Sequence, residues 1–249
     1  MTEPDYNLRP LWDALLDIYV QVQMICERHH LRYYACGGTA LGAVRHGGFI
    51  PWDDDFDLFM PRPDYMRFVQ LAQQELPTGL RWRSIHNDPG YQLPFGKVGL
   101  VDASRVEAIA QATRLQSLRD VYIDILPLDG IPAGKFSLFF WLVKRAIWRR
   151  VGPKTQDGRL RYEKWISRLP FDKSPCVEDA KEAGARLQRY HGWPREIFSD
   201  LILMKFENVQ IPMPHETHVF LSRMFGPSYM ELPPEEKRRP SHQLVENLV

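Results

Sequence analysis

The stretch from Tyr33 to Met60, YYACGGTALGAVRHGGFIPWDDDFDLFM, places the strongest constraint on how this chain can fold. Two glycine pairs in it precede four acidic residues, Asp53, Asp54, Asp55 and Asp57. Successive side chains of an extended segment point to opposite faces, so Asp55 and Asp57 would share one face. Phe56, Leu58 and Met60 would share the other face and enter a core. Because neighbouring carboxylates repel each other unless a positive charge lies between them, the acidic face predicts a divalent cation with oxygen ligands.

Length and composition limit the classes of protein that remain. The 249 residues predict one domain over residues 1–150 with an appended C-terminal portion over 151–249, and 44% hydrophobic residues suffice for a packed core. The charge is balanced, with 32 Lys and Arg against 31 Asp and Glu, which argues against a nucleic-acid partner. Three cysteines without a CxxC spacing predict a reducing compartment. We find no secretory signal and no apolar run of about 18 residues, so a cytoplasmic protein is expected.

Hydrophobic periodicity predicts a mixed α/β architecture. Helical spacing is present over residues 11–30, 64–75, 160–169 and 176–190, and strand-like runs occur at 82–86 and 95–101. Residues 105–119 have helical composition but lie between strand-like runs, so their structure is left open. Thr39 is the predicted N-cap of the helix TALGAVRH.

The segment VYIDILPLDG, residues 121–130, predicts a second strand with an acidic side chain. Its apolar residues alternate against Tyr122 and Asp124, which puts Asp124 on the face opposite the core residues. Pro127 and the pair Asp129-Gly130 are expected to end the strand.

These elements together suit phosphate chemistry. The glycines Gly37 and Gly38 let a backbone approach a phosphate, and the helix that follows supplies N–H groups and a positive dipole end. Paired aspartates can hold Mg²⁺, and a third carboxylate can complete the metal site or accept a proton from an attacking hydroxyl. A solvated acidic turn is the alternative. An EF-hand loop is excluded, because Leu58 and Asp64 occupy the positions where it needs glycine and glutamate.

Residues 136–150, FSLFFWLVKRAIWRR, allow two interpretations. The segment forms either a buried helix with a solvated basic end or an interfacial helix that places aromatic side chains among lipid headgroups. The second interpretation predicts peripheral contact with an anionic membrane. We favour the buried helix.

Three blocks resemble the LicD family of phosphotransferases, which includes the fukutin-related proteins. The first block is GGTALGAVRHGGFIPWDDDFDLFMPRPDY, the second VYIDILPLDG and the last FGPSYMELPPEEKRRPSH. The resemblance implies a nucleotidyltransferase-like mixed sheet flanked by helices, with a helical C-terminal portion. It also implies that Gly37 and Gly38 form the phosphate-binding turn. Asp55 and Asp57 would be metal ligands and Asp124 the third catalytic acidic residue, whereas the roles of Asp53 and Asp54 are not assigned.

The activity implied by the resemblance is Mg²⁺-dependent, or Mn²⁺-dependent, transfer of a substituted phosphate. The donor would be CDP-choline or a related CDP-alcohol, and the acceptor a hydroxyl of a cell-surface glycan, teichoic acid or lipopolysaccharide precursor, free or lipid-linked. This reaction would take place in the cytoplasm or at the inner face of the cytoplasmic membrane. Two alternatives stay open, a nucleotidyltransferase that moves a nucleoside monophosphate and a non-catalytic nucleotide-binding module.

Six further residues are candidates for contacting substrate because they lie within or beside these blocks: Thr39, Arg45, His46, Trp52, Lys97 and His242. Lys97 could pair with a phosphate, although an exposed strand lysine is the alternative. His46 could equally end its helix, Trp52 could be a core aromatic, and His242 could belong to a surface tail.

Overall fold

The computed structural model describes residues 6–115, 117–132, 155–179 and 192–242, together with the single residues 139, 141, 143 and 146. The helices are α1 (Arg9–Arg28), α2 (Gly37–His46), α3 (Arg62–Glu75), α4 (Ala103–Thr113), α5 (Gln156–Ile166) and α6 (Thr217–Phe225). The strands are β1 (Tyr34–Ala35), β2 (Asp57–Pro61), β3 (Leu80–Arg83), β4 (Gly96–Leu100), β5 (Tyr122–Ile131), β6 (Cys176–Asp179), β7 (Trp193–Pro194), β8 (Leu201–Phe206) and β9 (Val209–Pro214).

Seven of these strands form one mixed sheet. Its main order is β1-β2-β5-β4-β3, in which β2 and β5 run parallel and the other neighbours are antiparallel. Strand β5 pairs with β4 along its first half and with β6 along its second half, and β7 extends the sheet from β6. Strands β8 and β9 form a separate antiparallel hairpin.

Helices α1, α3 and α4 cover one face of this sheet. The apolar stripe of α1 is buried against α3, α4, β4 and β5. Trp82 on β3 is fully buried and meets Tyr65 and Phe68 of α3 edge-on, with ring centroids 5.8 and 5.4 Å apart. Burying each such side chain contributes roughly 1.5–3 kcal/mol. This face is therefore the main hydrophobic core.

C-terminal residues cover part of the opposite face. Phe59, on the same face of β2 as Asp57, packs edge-on against Trp193 and Phe220. Phe198 joins that cluster through its contacts with Trp193 and with Tyr34 of β1. Strand β2 is consequently buried on both faces.

Most of the predicted elements are confirmed. The mixed α/β class is correct, and the helices expected at 11–30, 64–75 and 160–169 correspond to α1, α3 and α5. The strands expected at 82–86 and 95–101 correspond to β3 and β4. The undecided segment 105–119 contains helix α4, whose N-cap Asp102 accepts hydrogen bonds from the backbone of Ser104 and Arg105.

The prediction that Pro127 ends its strand is wrong. Strand β5 continues through Pro127, Asp129 and Gly130 to Ile131. Pro127 is tolerated because it lies between the residues that pair with β4 and those that pair with β6. A proline lacks the N–H that an antiparallel neighbour would need, and at this gap no such neighbour is present.

Three other expectations need correction. Asp55 precedes β2 instead of lying on it, and Asp57 begins the strand. The start of the helix predicted at 176–190 is strand β6, and its residues 180–190 lie outside the described ranges. The C-terminal portion, expected to be helical, contains the strands β6, β7, β8 and β9.

The segment 136–150 lies largely outside the described residues, so its two interpretations remain predictions. Of its members, Phe139 is exposed and Trp141 is buried with its ring centroid 6.3 Å from that of Trp165. Within the described ranges, no helix combines the length and apolar content needed to span a membrane.

Candidate active site

The start of α2 lies directly beside the aspartates. Gly37 has a φ of +55°, and a Cβ at this position would lie 2.7 Å from Asp57 Oδ2. A Cβ on Gly38 would collide with the Asp53 carboxylate. Both glycines are therefore needed for the helix N-terminus to approach the two carboxylates, whose negative charge the helix dipole stabilises.

Thr39 fixes α2 to β2, which corrects its predicted role as N-cap. Cys36 occupies the N-cap position and makes no side-chain capping bond. Thr39 is buried, and its Oγ1 accepts a hydrogen bond of 2.9 Å from the backbone N–H of Asp57. The Cys36 N–H donates to the Asp57 carbonyl at 3.1 Å. These two bonds set the position of Asp57 relative to the helix start.

Strand register brings Asp57, Asp124 and Lys97 into one row. Asp124 pairs with Asp57 on the parallel strand β2 and with Lys97 on the antiparallel strand β4. Directly paired residues point to the same face of a sheet. Lys97 Nζ lies 3.2 Å from Asp124 Oδ1 and 3.2 Å from the centroid of the Tyr122 ring. The carboxylates of Asp57 and Asp124 therefore meet on one face, with Lys97 beside the second.

Asp53 adds a further carboxyl to this site. Burial, followed by the charges of Asp55 and Asp57 and a hydrogen bond with Asp55, raises the pKa of Asp53 well above its usual value. Asp55 lies in the half-buried segment before β2. Among the described residues, the site thus brings the carboxyls of Asp53, Asp55, Asp57 and Asp124 together beside Lys97.

Asp54 points away from this concentration and holds the C-terminal segment. Its Oδ2 accepts hydrogen bonds from the backbone N–H of His242 at 2.7 Å and from His242 Nδ1 at 2.8 Å, and Ser241 donates to its Oδ1. Burial alone would raise the pKa of Asp54, but these bonds outweigh it and lower the pKa. The bond to Asp54 raises the pKa of His242, which also responds to Asp55 and Lys97. His242 therefore lies at the edge of the acidic centre.

Arg45, His46 and Trp52 form a separate group at the C-terminal end of α2. Arg45 donates to the carbonyls of Tyr229 and Glu231, each at 3.2 Å, and its Nε donates to His46 Nε2 at 3.0 Å. The His46 and Trp52 rings meet edge-on at 6.4 Å. Burial, followed by the charge of Arg45, lowers the pKa of His46. These contacts give Arg45 a role in holding the C-terminal segment.

Two residues near the site were not predicted. Ser241 reaches Asp54, and Arg83 on β3 is the register partner of Lys97, so it extends the row at its far end. The alternation of the strand at 82–86 could have marked Arg83, since it shares its face with Arg81. No local pattern marks Ser241, because its partner lies 187 positions away in the sequence.

The acidic centre fits a hard divalent cation whose coordination shell is completed by oxygens of the substrate. Mg²⁺ commonly keeps several waters and binds one or two carboxylates plus phosphate oxygens. Asp57 Oδ1 and Asp124 Oδ1 are buried oxygens on adjacent strands, and the charge around them is in excess. Across the described ranges, no three His, Cys, Asp or Glu side chains come together in the arrangement of a preformed metal cage. The donor set accordingly suits a cation that binds together with a phosphate.

Comparison with known proteins assigns this region to a family. Residues 30–128 match the family model described as "LicD/FKTN/FKRP, nucleotidyltransferase domain". The chain carries a LicD-family domain. The lipopolysaccharide cholinephosphotransferase LicD of Haemophilus influenzae is 29% identical over 263 residues, which cover 95% of this chain and 96% of that protein. The ribitol 5-phosphate transferases FKRP of mouse and human are 40% identical over 62 residues, 25% of this chain and 13% and 12% of theirs.

Over residues 30–128 the chain is similar to LicD-family nucleotidyltransferase domains, and over nearly its whole length it is similar to the Haemophilus transferase. The matched LicD-family region contains the start of α2, the row formed by Asp57, Asp124 and Lys97, and the residues of β3. His242 and Ser241 lie outside the matched region and reach the site through Asp54.

Proposed function

We propose that this protein is a LicD-type phosphotransferase and that it moves phosphocholine, or a similar substituted phosphate, from a CDP-alcohol to a hydroxyl of a lipopolysaccharide glycan. The name of the Haemophilus relative supports phosphocholine as the group and lipopolysaccharide as the acceptor, since that relative aligns with nearly the whole chain. The FKRP relatives support a wider range of substituted phosphates, because they are named for ribitol phosphate and match over a shorter region.

The observation that carries this proposal is the register pairing of Asp57 with Asp124 beside the glycine start of α2. Two buried carboxylates on adjacent parallel strands are costly unless a cation joins them. The helix N-terminus next to them offers N–H groups to an anion. Together these features favour binding of a diphosphate and a metal ion at the same place.

In the proposed reaction, an acceptor hydroxyl attacks the phosphorus that carries choline. A new bond forms between the acceptor oxygen and that phosphorus, and the bond from phosphorus to the bridging oxygen of CMP breaks. The electron pair leaves with CMP. The Asp124 carboxylate receives the hydroxyl proton, while Lys97, 3.2 Å from its Oδ1, compensates charge at that carboxylate.

Asp55, Asp57 and Asp124 would hold the divalent cation, Mg²⁺ or Mn²⁺. Such an ion, when bound, supplies positive charge to phosphate oxygens on which negative charge develops. The start of α2 orients the diphosphate, because Gly37 and Gly38 leave room for its oxygens beside the backbone. Thr39 keeps the helix and Asp57 in register through its bond to the Asp57 N–H.

We place the reaction in the cytoplasm or at the inner face of the cytoplasmic membrane. The cysteine pattern supports this location: Cys26, Cys36 and Cys176 are three in number without a CxxC spacing, and the first two are buried. Reduced thiols are typical of a reducing compartment.

A donor panel tests the proposed function. Purified protein with Mg²⁺ and lipopolysaccharide receives CDP-choline, CDP-ethanolamine, CDP-ribitol or CDP-glycerol, and mass spectrometry follows nucleotide and glycan. We expect CMP release and a glycan that gains the donor's substituted phosphate, both lost with chelator and in Asp57→Asn. Pyrophosphate release from CTP would instead support a nucleotidyltransferase. Tight donor binding without turnover under all conditions would support a binding module.

A further inference from the structure

A cavity of about 280 Å³ opens on the β3 and β4 side of the row formed by Asp57, Asp124 and Lys97. Its charged and aromatic lining consists of Arg81, Arg83, Lys97, Asp120, Tyr91 and Tyr122. It shares only Lys97 with the proposed catalytic residues, and no step described above uses the rest of its lining. We call it the basic groove.

The sheet register explains where the basic groove lies. Arg83 pairs with Lys97, and Lys97 pairs with Asp124, so the row of same-face residues runs from Asp57 to the edge strand. The next row along the strands contains Arg81, Gly99 and Tyr122. Since Gly99 has no side chain, the floor between Arg81 and Tyr122 stays open. The basic groove therefore begins at Lys97 and leads away from the carboxylates.

Tyrosine rings position two of its cations. The Arg83 guanidinium lies 5.8 Å from the centroid of the Tyr91 ring, and Lys97 Nζ lies 3.2 Å from that of Tyr122. Such contacts restrict long, flexible side chains before a ligand arrives and lower the cost of ordering them on binding. The two cationic heads are thus held in place in the free protein.

The three cations of the basic groove differ in their ion pairs. Arg83 pairs with Asp88, at 3.2 Å and partly exposed, and Lys97 pairs with Asp124. Arg81 is exposed and makes no ion pair or side-chain hydrogen bond with the described part of the chain. Asp120 is the acidic residue in the lining. Because Arg83 and Lys97 each have a carboxylate partner, Arg81 is the lining cation whose charge is most accessible to an anionic ligand.

We propose that the basic groove binds an acidic group, a phosphate or carboxylate, on the glycan acceptor. This inference rests on the proposed function for its choice of ligand. The start of α2, at the Asp57 end of the row, is where the donor diphosphate is proposed to bind, and the groove lies at the opposite end. An attacking hydroxyl must approach the phosphorus from the side opposite to the leaving CMP. An acceptor that lies in the groove would bring its hydroxyl to Asp124 from that side.

The same geometry predicts where on the acceptor the charge lies. Adjacent strands are about 4.8 Å apart, so the backbone of Arg83, two strands from Asp124, is roughly 10 Å from that of Asp124. We therefore expect an acidic group bound by the arginines to lie away from the reacting carbon. It belongs to a neighbouring part of the glycan.

The kinetic test compares one acceptor with and without its phosphates. Lipopolysaccharide core oligosaccharide is used intact and after chemical dephosphorylation, with wild type, Arg81→Ala, Arg81→Glu and the control Arg67→Ala. Arg67 is an exposed arginine on α3, on the helix-covered side of the sheet. We expect Arg81→Ala to raise the KM for intact acceptor about tenfold, the scale of one charge-assisted hydrogen bond, and Arg81→Glu to raise it further.

With dephosphorylated acceptor the difference between wild type and Arg81→Ala should disappear if the bound group is a phosphate and persist if it is a carboxylate. The KM for CDP-choline should stay within about twofold throughout. Arg67→Ala should match wild type in every assay. An Arg81→Ala effect on the donor KM instead of the acceptor KM would overturn the inference and assign the groove to the donor. Equal acceptor KM values for wild type and both Arg81 variants would also overturn it.

A binding measurement separates this inference from the proposed function. Glucose 6-phosphate, glucose and inorganic phosphate are titrated into wild type and Arg81→Ala, and binding is followed by NMR. We expect glucose 6-phosphate to bind wild type and to bind Arg81→Ala about tenfold more weakly, with no matching change for glucose. If no donor is turned over but this difference is present, the groove is an anion site and the proposed function fails. Equal binding to both proteins excludes the groove whatever the activity assay gives.

Discussion

Strand β5 carries two buried carboxylates, and their surroundings differ sharply. Asp129 lies on the helix-covered face, where Arg62 donates to both of its oxygens at 2.8 and 2.6 Å. Arg62 also binds Glu163 at 2.6 Å, and Glu163 pairs with His86 at 2.8 Å. Asp124 lies on the other face, next to Asp57 and the Asp53–Asp55 pair, with Lys97 as its neighbouring cation. We call these groups the Arg62 cluster and the aspartate cluster.

Among the described residues, the Arg62 cluster pairs its carboxylates with Arg62 and His86, whereas the aspartate cluster gathers several carboxyls beside Lys97. A buried carboxylate with a bidentate arginine partner needs nothing from outside the protein. Several carboxylates beside one lysine repel one another, and burial together with this repulsion raises the pKa of Asp53. Perturbed pKa values are typical of functional sites, so this difference supports our proposal that the aspartate cluster carries the chemistry while the Arg62 cluster contributes stability.

Asp57→Asn should have the largest effect. Replacing this carboxylate removes a proposed metal ligand and should lower the transfer rate on the order of 1000-fold, the scale of losing one group that stabilises transition-state charge. The melting temperature should stay the same or rise, because the substitution removes one of several repelling charges. Initial rates with CDP-choline and a thermal melt without divalent cations measure the two quantities.

Thr39→Val is the matched control for that experiment. It keeps the carboxylate but removes the hydrogen bond to the Asp57 N–H, so it should retain more activity than Asp57→Asn. Two results would remove the distinction between the clusters. One is a transfer rate of Asp57→Asn within a few-fold of wild type. The other is a fall in its melting temperature as large as that expected for Arg62→Met.

Arg62→Met should show the opposite pattern. It leaves Asp129 and Glu163 buried without their shared cation, so the free energy of unfolding should fall by about 3–5 kcal/mol. Activity per folded molecule should stay close to that of wild type, because no proposed step uses Arg62. Urea unfolding and single-turnover rates corrected for the folded fraction test this.

The exposed Arg67 on the same helix provides the control. Arg67→Ala should change the free energy of unfolding by less than about 0.5 kcal/mol. Should Arg62→Met be as stable as Arg67→Ala, the Arg62 cluster would not be a stabilising network.

Much of the aspartate cluster was accessible from sequence, and the reason is local, whereas the Arg62 cluster was not predicted. Alternation with period two marks Asp124 on its strand, and the glycine pair before the aspartates marks the helix start. Asp124 and Asp57 could therefore be assigned to acidic faces, although Asp55 proved to precede the strand. The helices followed from their apolar spacing in the same way, as α1 and α3 show.

What escaped prediction depends on contacts between distant parts of the chain. The pairing of Asp57 with Asp124 fixes the site, but register between distant strands leaves no local pattern. The role of Asp54 depends on its hydrogen bonds with Ser241 and His242, which lie far from it in the sequence. Pro127 was taken as a strand end because the gap between β4 and β6, which accommodates it, exists only in the folded sheet.

The smallest expected effect is a difference in how stability varies with pH. Burial alone would raise the pKa of Glu163, but bonds from His86 and Arg62 outweigh it and lower the pKa below its usual value. The stability that Glu163 contributes is therefore present above its unfolded pKa and is lost as pH falls through its folded pKa. Burial, followed by Asp55 and Asp57, raises the pKa of Asp53, so its contribution is present at low pH and is lost as pH rises.

Glu163→Gln and Asp53→Asn should consequently show opposite trends in urea unfolding at a series of pH values in chelator. Wild type should exceed Glu163→Gln in stability most at neutral pH, and this difference should shrink as pH falls through the lowered folded-state pKa of Glu163. Asp53→Asn should instead gain on wild type as pH rises, since it lacks the charge that neighbouring carboxylates oppose. Parallel curves for the two variants would mean that the charges of the two clusters are compensated to the same degree, contrary to the distinction drawn from their geometry.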